Sequence, residues 1–113
     1  MVETKSYAPA RGDLVWLDFS PQTGHEQAGR RPAVCISPVS YNKKVGLGIF
    51  CPITSAIKGY PFEVLLPADL PITGVILSDQ LKSMDWQSRR VEFITSLPEK
   101  TTSHVLAKAR SLI

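Results

Sequence analysis

The sequence predicts a mainly β domain of short antiparallel strands with one C-terminal helix, and three observations lead there. Apolar runs of strand length recur along the chain, rich in Val, Ile, Leu and aromatics. Gly, Pro, Ser and Asn separate them, and the short connections favour antiparallel neighbours. Only the tail carries a helical repeat of apolar residues. The runs cover residues 13–19, 33–37, 47–54, 62–66 and 74–78, with a sixth at 90–95. Residues 38–46 read as a short helical turn that starts near Ser37 or Pro38 and stops at Gly46. In the tail, Ser96-Leu97-Pro98-Glu99 resembles a capping box with proline in the first turn. Val105, Leu106, Ala109, Leu112 and Ile113 then make one apolar face, and Lys108 and Arg110 suit the negative end of the helix dipole.

At 113 residues the chain reads as one domain, 1–113, able to bury a core without metal or disulfide support. Hydrophobic content of 43% and charged content of 20% are ordinary for a globular protein. No apolar run approaches the ~20 residues of a membrane span, and Met1-Val2-Glu3-Thr4-Lys5 lacks the apolar centre of a secretory signal. A cytoplasmic protein without a membrane partner is therefore expected. The net charge of +3 favours an anionic partner without naming one. Cys35 and Cys51 sit in apolar runs with no Cys-x-x-Cys spacing, so they read as buried free thiols and not as zinc ligands.

The densest polar stretch is Gly24-His25-Glu26-Gln27-Ala28-Gly29-Arg30-Arg31-Pro32, a loop between apolar runs that holds two arginines, a carboxylate and an imidazole. If successive strands alternate in direction, three polar groups share one rim: Glu26, Arg30 and Arg31; Thr54 and Ser55; Asp79, Gln80 and Lys82. Lys58 follows closely after Thr54. Such a rim fits a phosphodiester better than a metal, because the arginine fork binds phosphate oxygens in pairs and keeps its charge at any relevant pH. His25 and His104 lie far apart and the acidic residues form no spaced cluster, so neither metal nor cofactor is expected. Gly46-Leu47-Gly48 is too short for a phosphate-cradling glycine loop, and no serine–histidine–acid set is present.

These residues resemble the MazF/PemK family of toxin endoribonucleases. The similar segments are Gly12-Asp13-Leu14-Val15-Trp16, the loop from Gly24 through Val34, Ser37-Pro38 with Tyr41-Asn42, Pro52-Ile53-Thr54, Lys58-Gly59-Tyr60-Pro61-Phe62-Glu63-Val64, and Asp79-Gln80-Leu81-Lys82-Ser83. They are collinear from Gly12 to Trp86, about two thirds of the chain; the tail resembles the family only in its expected helix. The resemblance implies an SH3-like, partly open antiparallel barrel acting as a homodimer. It further implies metal-independent, sequence-specific cleavage of single-stranded RNA, including mRNA, and inhibition by a cognate antitoxin with an acidic, flexible segment. His25, where some relatives carry serine, and Ala56-Ile57, where others are more polar, depart from the pattern and bear on base specificity.

The resemblance assigns catalysis to Arg31, Thr54 and Glu26. A ribose 2′-hydroxyl would attack the adjacent phosphorus, giving 2′,3′-cyclic phosphate and 5′-hydroxyl ends, and Arg31 and Thr54 would meet the growing charge. Glu26 has two roles open to it, accepting the proton or holding an arginine in place. His25, Arg30, Ser55, Lys58, Asp79, Gln80 and Lys82 are the expected RNA contacts, with Gln80 suited to a base edge and the lysines to phosphates. Each has an ordinary alternative: an Arg31–Glu26 salt bridge, a strand-end Thr54 chosen for β propensity, and plain solvated lysines. Trp16 reads as core, and Trp86 as a dimer contact or as packing on the barrel. The competing functions are a non-catalytic SH3-like binding module and a gyrase-poisoning toxin of related fold.

Overall fold

In a computed structural model that describes residues 7–19 and 29–113, the apolar runs form seven strands and two helices among the described residues. They are β1 (Asp13–Asp18), β2 (Arg30–Cys35), α1 (Val39–Val45), β3 (Gly48–Thr54), β4 (Glu63–Leu65), β5 (Val75–Leu77), β6 (Lys82–Met84), β7 (Glu92–Ser96) and α2 (Glu99–Arg110). All pairings are antiparallel, in the order β4-β5-β3-β2-β1-β7, with β6 also paired to β3. The outer strands β4 and β7 do not pair with each other, so the curved sheet is the partly open antiparallel barrel that was expected.

Both faces of the sheet are buried at its centre, which explains near-continuous apolar strands in place of a clean polar–apolar alternation. One face carries Leu14, Val34, Cys51, Ile53 and Ile76 beneath Val105 and Ala109 of α2. The other carries Val15, Leu17, Ala33, Cys35 and Phe50 beneath Met84 and Trp86. Successive residues of β1, β2 and β3 thus alternate between two cores, as a period of two requires. Burying each large apolar side chain contributes about 1.5–3 kcal/mol. The free cysteines are both buried, one in each core. Burial pushes the Cys35 thiol up and the Cys51 thiol up to about 12, so both stay protonated near neutral pH.

α1 begins after Pro38 and ends at Gly46, whose left-handed φ of 82° lets its N–H reach the Asn42 carbonyl. Its centre is a buried polar hub. Asn42 Nδ2 donates to the Pro9 carbonyl at 2.7 Å and the Ser37 carbonyl at 3.1 Å, while Ser37 Oγ donates to Asn42 Oδ1 at 2.6 Å. Ser37 Oγ also accepts the Ile49 N–H at 2.9 Å, so one amide and one hydroxyl join the N-terminal segment, α1 and β3. Nearby, the buried Asp13 accepts the Tyr7 hydroxyl at 2.5 Å and the Ala10 N–H at 2.9 Å. Burial first, and then this carboxylate, raises the Tyr7 pKa far above its ordinary value.

Several expectations need correction. β2 begins at Arg30, because Leu17 and Asp18 pair with Arg31 and Arg30, so both arginines are strand residues and not loop residues. β6 was not foreseen: Lys82 and Ser83 are exposed and polar, and only pairing with β3 makes this segment a strand. The assumed alternation fails after β3, since the next strand along the chain does not pair with it. β5 is the antiparallel neighbour of β3, and β4 lies outside β5 with the direction of β3. Pro98 caps α2 without a side-chain hydrogen bond, so no capping box forms. α2 stops at Arg110, which leaves Leu112 and Ile113 exposed beyond it, and Thr102 takes a buried place on the packed face. Trp16 is only half-buried and joins neither core, whereas Trp86 is packed on the barrel with Nε1 donating to the Leu47 carbonyl at 3.2 Å.

Candidate functional site

Adjacent residues of a strand point to opposite faces, and this separates the two arginines of β2. Arg30 faces Asp18 across the β1–β2 pair and is fully engaged. Nη1 lies 2.9 Å from Asp18 Oδ1, and Nη2 lies 3.3 Å from Glu92 Oε1 and donates to the Arg90 carbonyl at 2.6 Å. Arg90 closes the group from the other side, with Nε 2.7 Å from Asp18 Oδ2, and its left-handed φ of 52° aims it there. These two guanidinium groups hold Asp18 below the usual carboxylate range. Arg30, expected among the RNA contacts, is thus occupied in an ionic group that ties β1, β2 and β7 together.

Arg31 points the other way. It is exposed and, among the described residues, makes no side-chain hydrogen bond or ion pair. β2 and β3 pair Ala33 with Pro52 and Cys35 with Phe50. Continued by two residues, that register sets Arg31 across from Thr54, on the same face of the sheet. Thr54 ends β3 half-buried, with Oγ1 accepting the Ala56 N–H at 3.1 Å, which leaves its own hydroxyl hydrogen available to a ligand. Gly74 fixes the backbone here: with φ of 129°, a Cβ on it would stand 2.4 Å from the Thr54 carbonyl oxygen. No side chain fits there without displacing Thr54.

Beyond Thr54 a cavity of about 340 Å³ is lined by Thr54, Ala56, Lys58, Tyr60, Glu63, Leu77 and Gln80. Thr54, Lys58 and Gln80, expected near one rim, all line this cavity, but the chain brings them there by another route. β5 and β6 run back along β3 one after the other, carrying Gln80 past the end of β4. Arg31, Ser55, Asp79 and Lys82 lie outside this lining. Ser55 and Lys82 are exposed, Lys82 opposite Phe50 on β6. Asp79 accepts the Tyr60 hydroxyl in a short contact and holds that phenol above its ordinary pKa. His25 and Glu26 lie outside the described residues. Tyr60, Glu63 and Leu77 were not singled out as site residues. Two of them stand in the segment from Lys58 to Val64 that carried the family resemblance, but their roles come from contacts. Glu63 Oε2 and Oε1 accept the Lys58 and Gly59 N–H groups, each at 3.0 Å, and so shape the loop that bears Lys58.

The hollow thus pairs an apolar wall with a cation, an amide and a hydroxyl, at the end of a small antiparallel barrel. Chains of this architecture have been solved. MazF from Deinococcus radiodurans superposes with a TM-score of 0.87 at 52% identity, covering 95% of this chain and 97% of that one. A MazE–MazF structure from the same organism gives 0.84 at 48% identity, covering 95% and 96%. Among curated proteins, the endoribonuclease toxin MazF of Escherichia coli strain K12 is 52% identical over 83 residues, 74% of each chain. The family model described as PemK-like, MazF-like toxin of type II toxin–antitoxin system matches residues 10–113. The chain belongs to this toxin family, whose curated relatives are endoribonucleases.

Proposed function

We propose that this endoribonuclease toxin cleaves single-stranded RNA, mRNA included, without a metal, and that Arg31 and Thr54 carry the chemistry. What supports the reading is the β2–β3 register, which, continued two residues past the Ala33–Pro52 pair, directs Arg31 toward Thr54, and the cavity that Thr54 lines together with Lys58 and Gln80. The ribose 2′-oxygen bonds to phosphorus as the P–O5′ bond breaks, leaving a 2′,3′-cyclic phosphate. The 2′ proton passes to a base and the departing O5′ takes up a proton. Arg31 neutralises the charge that grows on the non-bridging oxygens, and the Thr54 hydroxyl donates to one of them. Glu26 is the carboxylate assigned to accept the 2′ proton or to hold the arginine. The donor set favours a metal-free route, because Glu63, the one carboxylate among the described residues lining the cavity, already accepts two main-chain N–H groups.

The family match over residues 10–113 supports reading the chain as one toxin domain. Its partners in this reading are a second copy of itself and a cognate antitoxin, the latter supported by the MazE–MazF relatives. An acidic, flexible antitoxin segment fits an RNA-binding surface that presents Arg31, Lys58 and Lys82. Among the described residues no helix is long and apolar enough to cross a membrane, and a toxin acting on mRNA works in the cytoplasm.

Incubating the protein with single-stranded RNA in EDTA tests the reading. Defined fragments ending in 2′,3′-cyclic phosphate and 5′-hydroxyl are expected; loss of cleavage on chelation, or 3′-hydroxyl ends, overturns it. A binding module or gyrase-poisoning toxin would leave the RNA intact. A second measurement separates recognition from attraction. Gln80→Ala is expected to change which sequences are cut from a randomised pool. Lys58→Ala and Lys82→Ala should weaken all substrates alike, each flattening the log affinity against log salt slope by about 0.7. An unchanged cutting profile removes Gln80 from recognition, and an unchanged slope returns the lysines to plain surface.

A further inference from the structure

The cavity beside Thr54 has two walls that the main chain joins only at one end. The 55–62 loop forms one, and the 78–81 turn after β5 forms the other. Their last main-chain tie is the Ser78 N–H to the Phe62 carbonyl at 3.0 Å, just past the β4–β5 ladder. Farther out, among the described residues, one side-chain hydrogen bond spans the gap, from the Tyr60 hydroxyl to Asp79 Oδ2. Tyr60 lines the cavity, and Asp79 directly precedes Gln80, which lines it from the other side. Asp79 is not placed as an RNA ligand in this arrangement. Its Oδ1 is buried with no hydrogen-bond partner, its Oδ2 takes the tyrosine, and a carboxylate repels phosphate.

We propose that Tyr60 and Asp79 form a latch that holds the two cavity walls at a fixed separation, making both of them positioning residues for the RNA. This deepens the reading of the chain as a ribonuclease and rests on it. Tyr60 serves twice: its ring walls the cavity, where a base face can lie against it, and its hydroxyl locks the turn that carries the Gln80 amide. The bond is charge-assisted, and the raised pKa of Tyr60 keeps the phenol a donor at any physiological pH. The ring is tilted against Phe62 with centroids 6.1 Å apart, which limits its freedom from the loop side. With the hydroxyl removed, Asp79 has no side-chain donor among the described residues, and Gln80 loses its fixed distance from Lys58 and Thr54.

The test compares the parent with Tyr60→Phe, Asp79→Leu, Asp79→Asn and the Tyr60→Phe/Asp79→Leu pair, using full-length protein and an oligonucleotide the parent cleaves. Tyr60→Phe and Asp79→Leu are each expected to raise KM about tenfold, the scale of one charge-assisted hydrogen bond, with kcat within about threefold of the parent. The double variant should be no worse than either single one, and Asp79→Asn, whose amide oxygen still accepts the phenol, should restore KM to within about threefold of the parent. Additive losses, or a Tyr60→Phe variant with the parent's KM, overturn the latch. So does a fall in melting temperature with KM unchanged, which marks a merely structural contact. A parent that cleaves no RNA defeats the ribonuclease reading itself and is distinguishable from all of these.

Discussion

Arg31→Ala and Thr54→Ala are each expected to slow RNA cleavage about 10²–10³-fold, the usual loss when one charge-stabilising donor is removed, while the fold persists. The structure explains why the two effects separate. Arg31 is exposed, and the cores begin two residues farther along β2, at Ala33. Thr54 contributes one local hydrogen bond, to the Ala56 N–H, a net stabilisation of about 1 kcal/mol. Single-turnover cleavage beside thermal melting checks both. Arg31→Lys adds a finer reading, because lysine keeps the charge but lacks the planar fork, so intermediate activity is expected. If either alanine variant cleaves within about threefold of the parent, a difference under roughly 1 kcal/mol, that residue is not part of the chemistry.

Asn42→Ala is expected to be the most destabilising single change, at ~3 kcal/mol, lowering Tm by ~15 °C in a domain of this size. Asn42 is fully buried, and its amide serves the Pro9 carbonyl, the Ser37 carbonyl and the Ser37 hydroxyl. Truncation leaves these groups in a dry space without partners, and that cost exceeds the loss of the bonds themselves. Urea unfolding followed by circular dichroism measures it, and a loss below about 1 kcal/mol would mean that water or a local shift satisfies the orphaned groups. Ser37 and Asn42 both belong to a segment that carried the family resemblance. Their work in the structure is to hold α1 onto the barrel, away from the cavity beside Thr54.

What the sequence made legible follows from locality. β1 and β3 were readable because their central apolar residues feed both cores, Leu14, Val15 and Leu17 from β1 and Phe50, Cys51 and Ile53 from β3, and α1 because Pro38 and Gly46 bound it. β6 was not, since its strand character comes from pairing with Gly48, Ile49 and Phe50, more than 30 positions earlier. The order β4-β5-β3 is likewise a choice among distant partners, and no local signal reverses the direction of a strand. Thr54, Lys58 and Gln80, expected together from resemblance and from a shared rim, do line one cavity, although β4 and β5 run opposite to the directions expected of them. Arg30 and Arg31 could not be told apart without the phase of β2, which depends on where pairing with β1 begins. Tyr60 stood in a segment of the resemblance but was not singled out as a site residue, because its partner Asp79 lies 19 positions away.

The ionic group around Asp18 changes what the net charge of +3 means for RNA. Arg30 and Arg90 face Asp18 and Glu92 at contact distance, so at any distance beyond a Debye length their fields cancel. The positive field that remains near the cavity comes from a few side chains, chiefly Arg31, Lys58 and Lys82. An RNA strand bound as proposed would be held chiefly by contacts made once it is seated. On the proposed reading, target choice is then expected in the rate of departure more than in the rate of arrival.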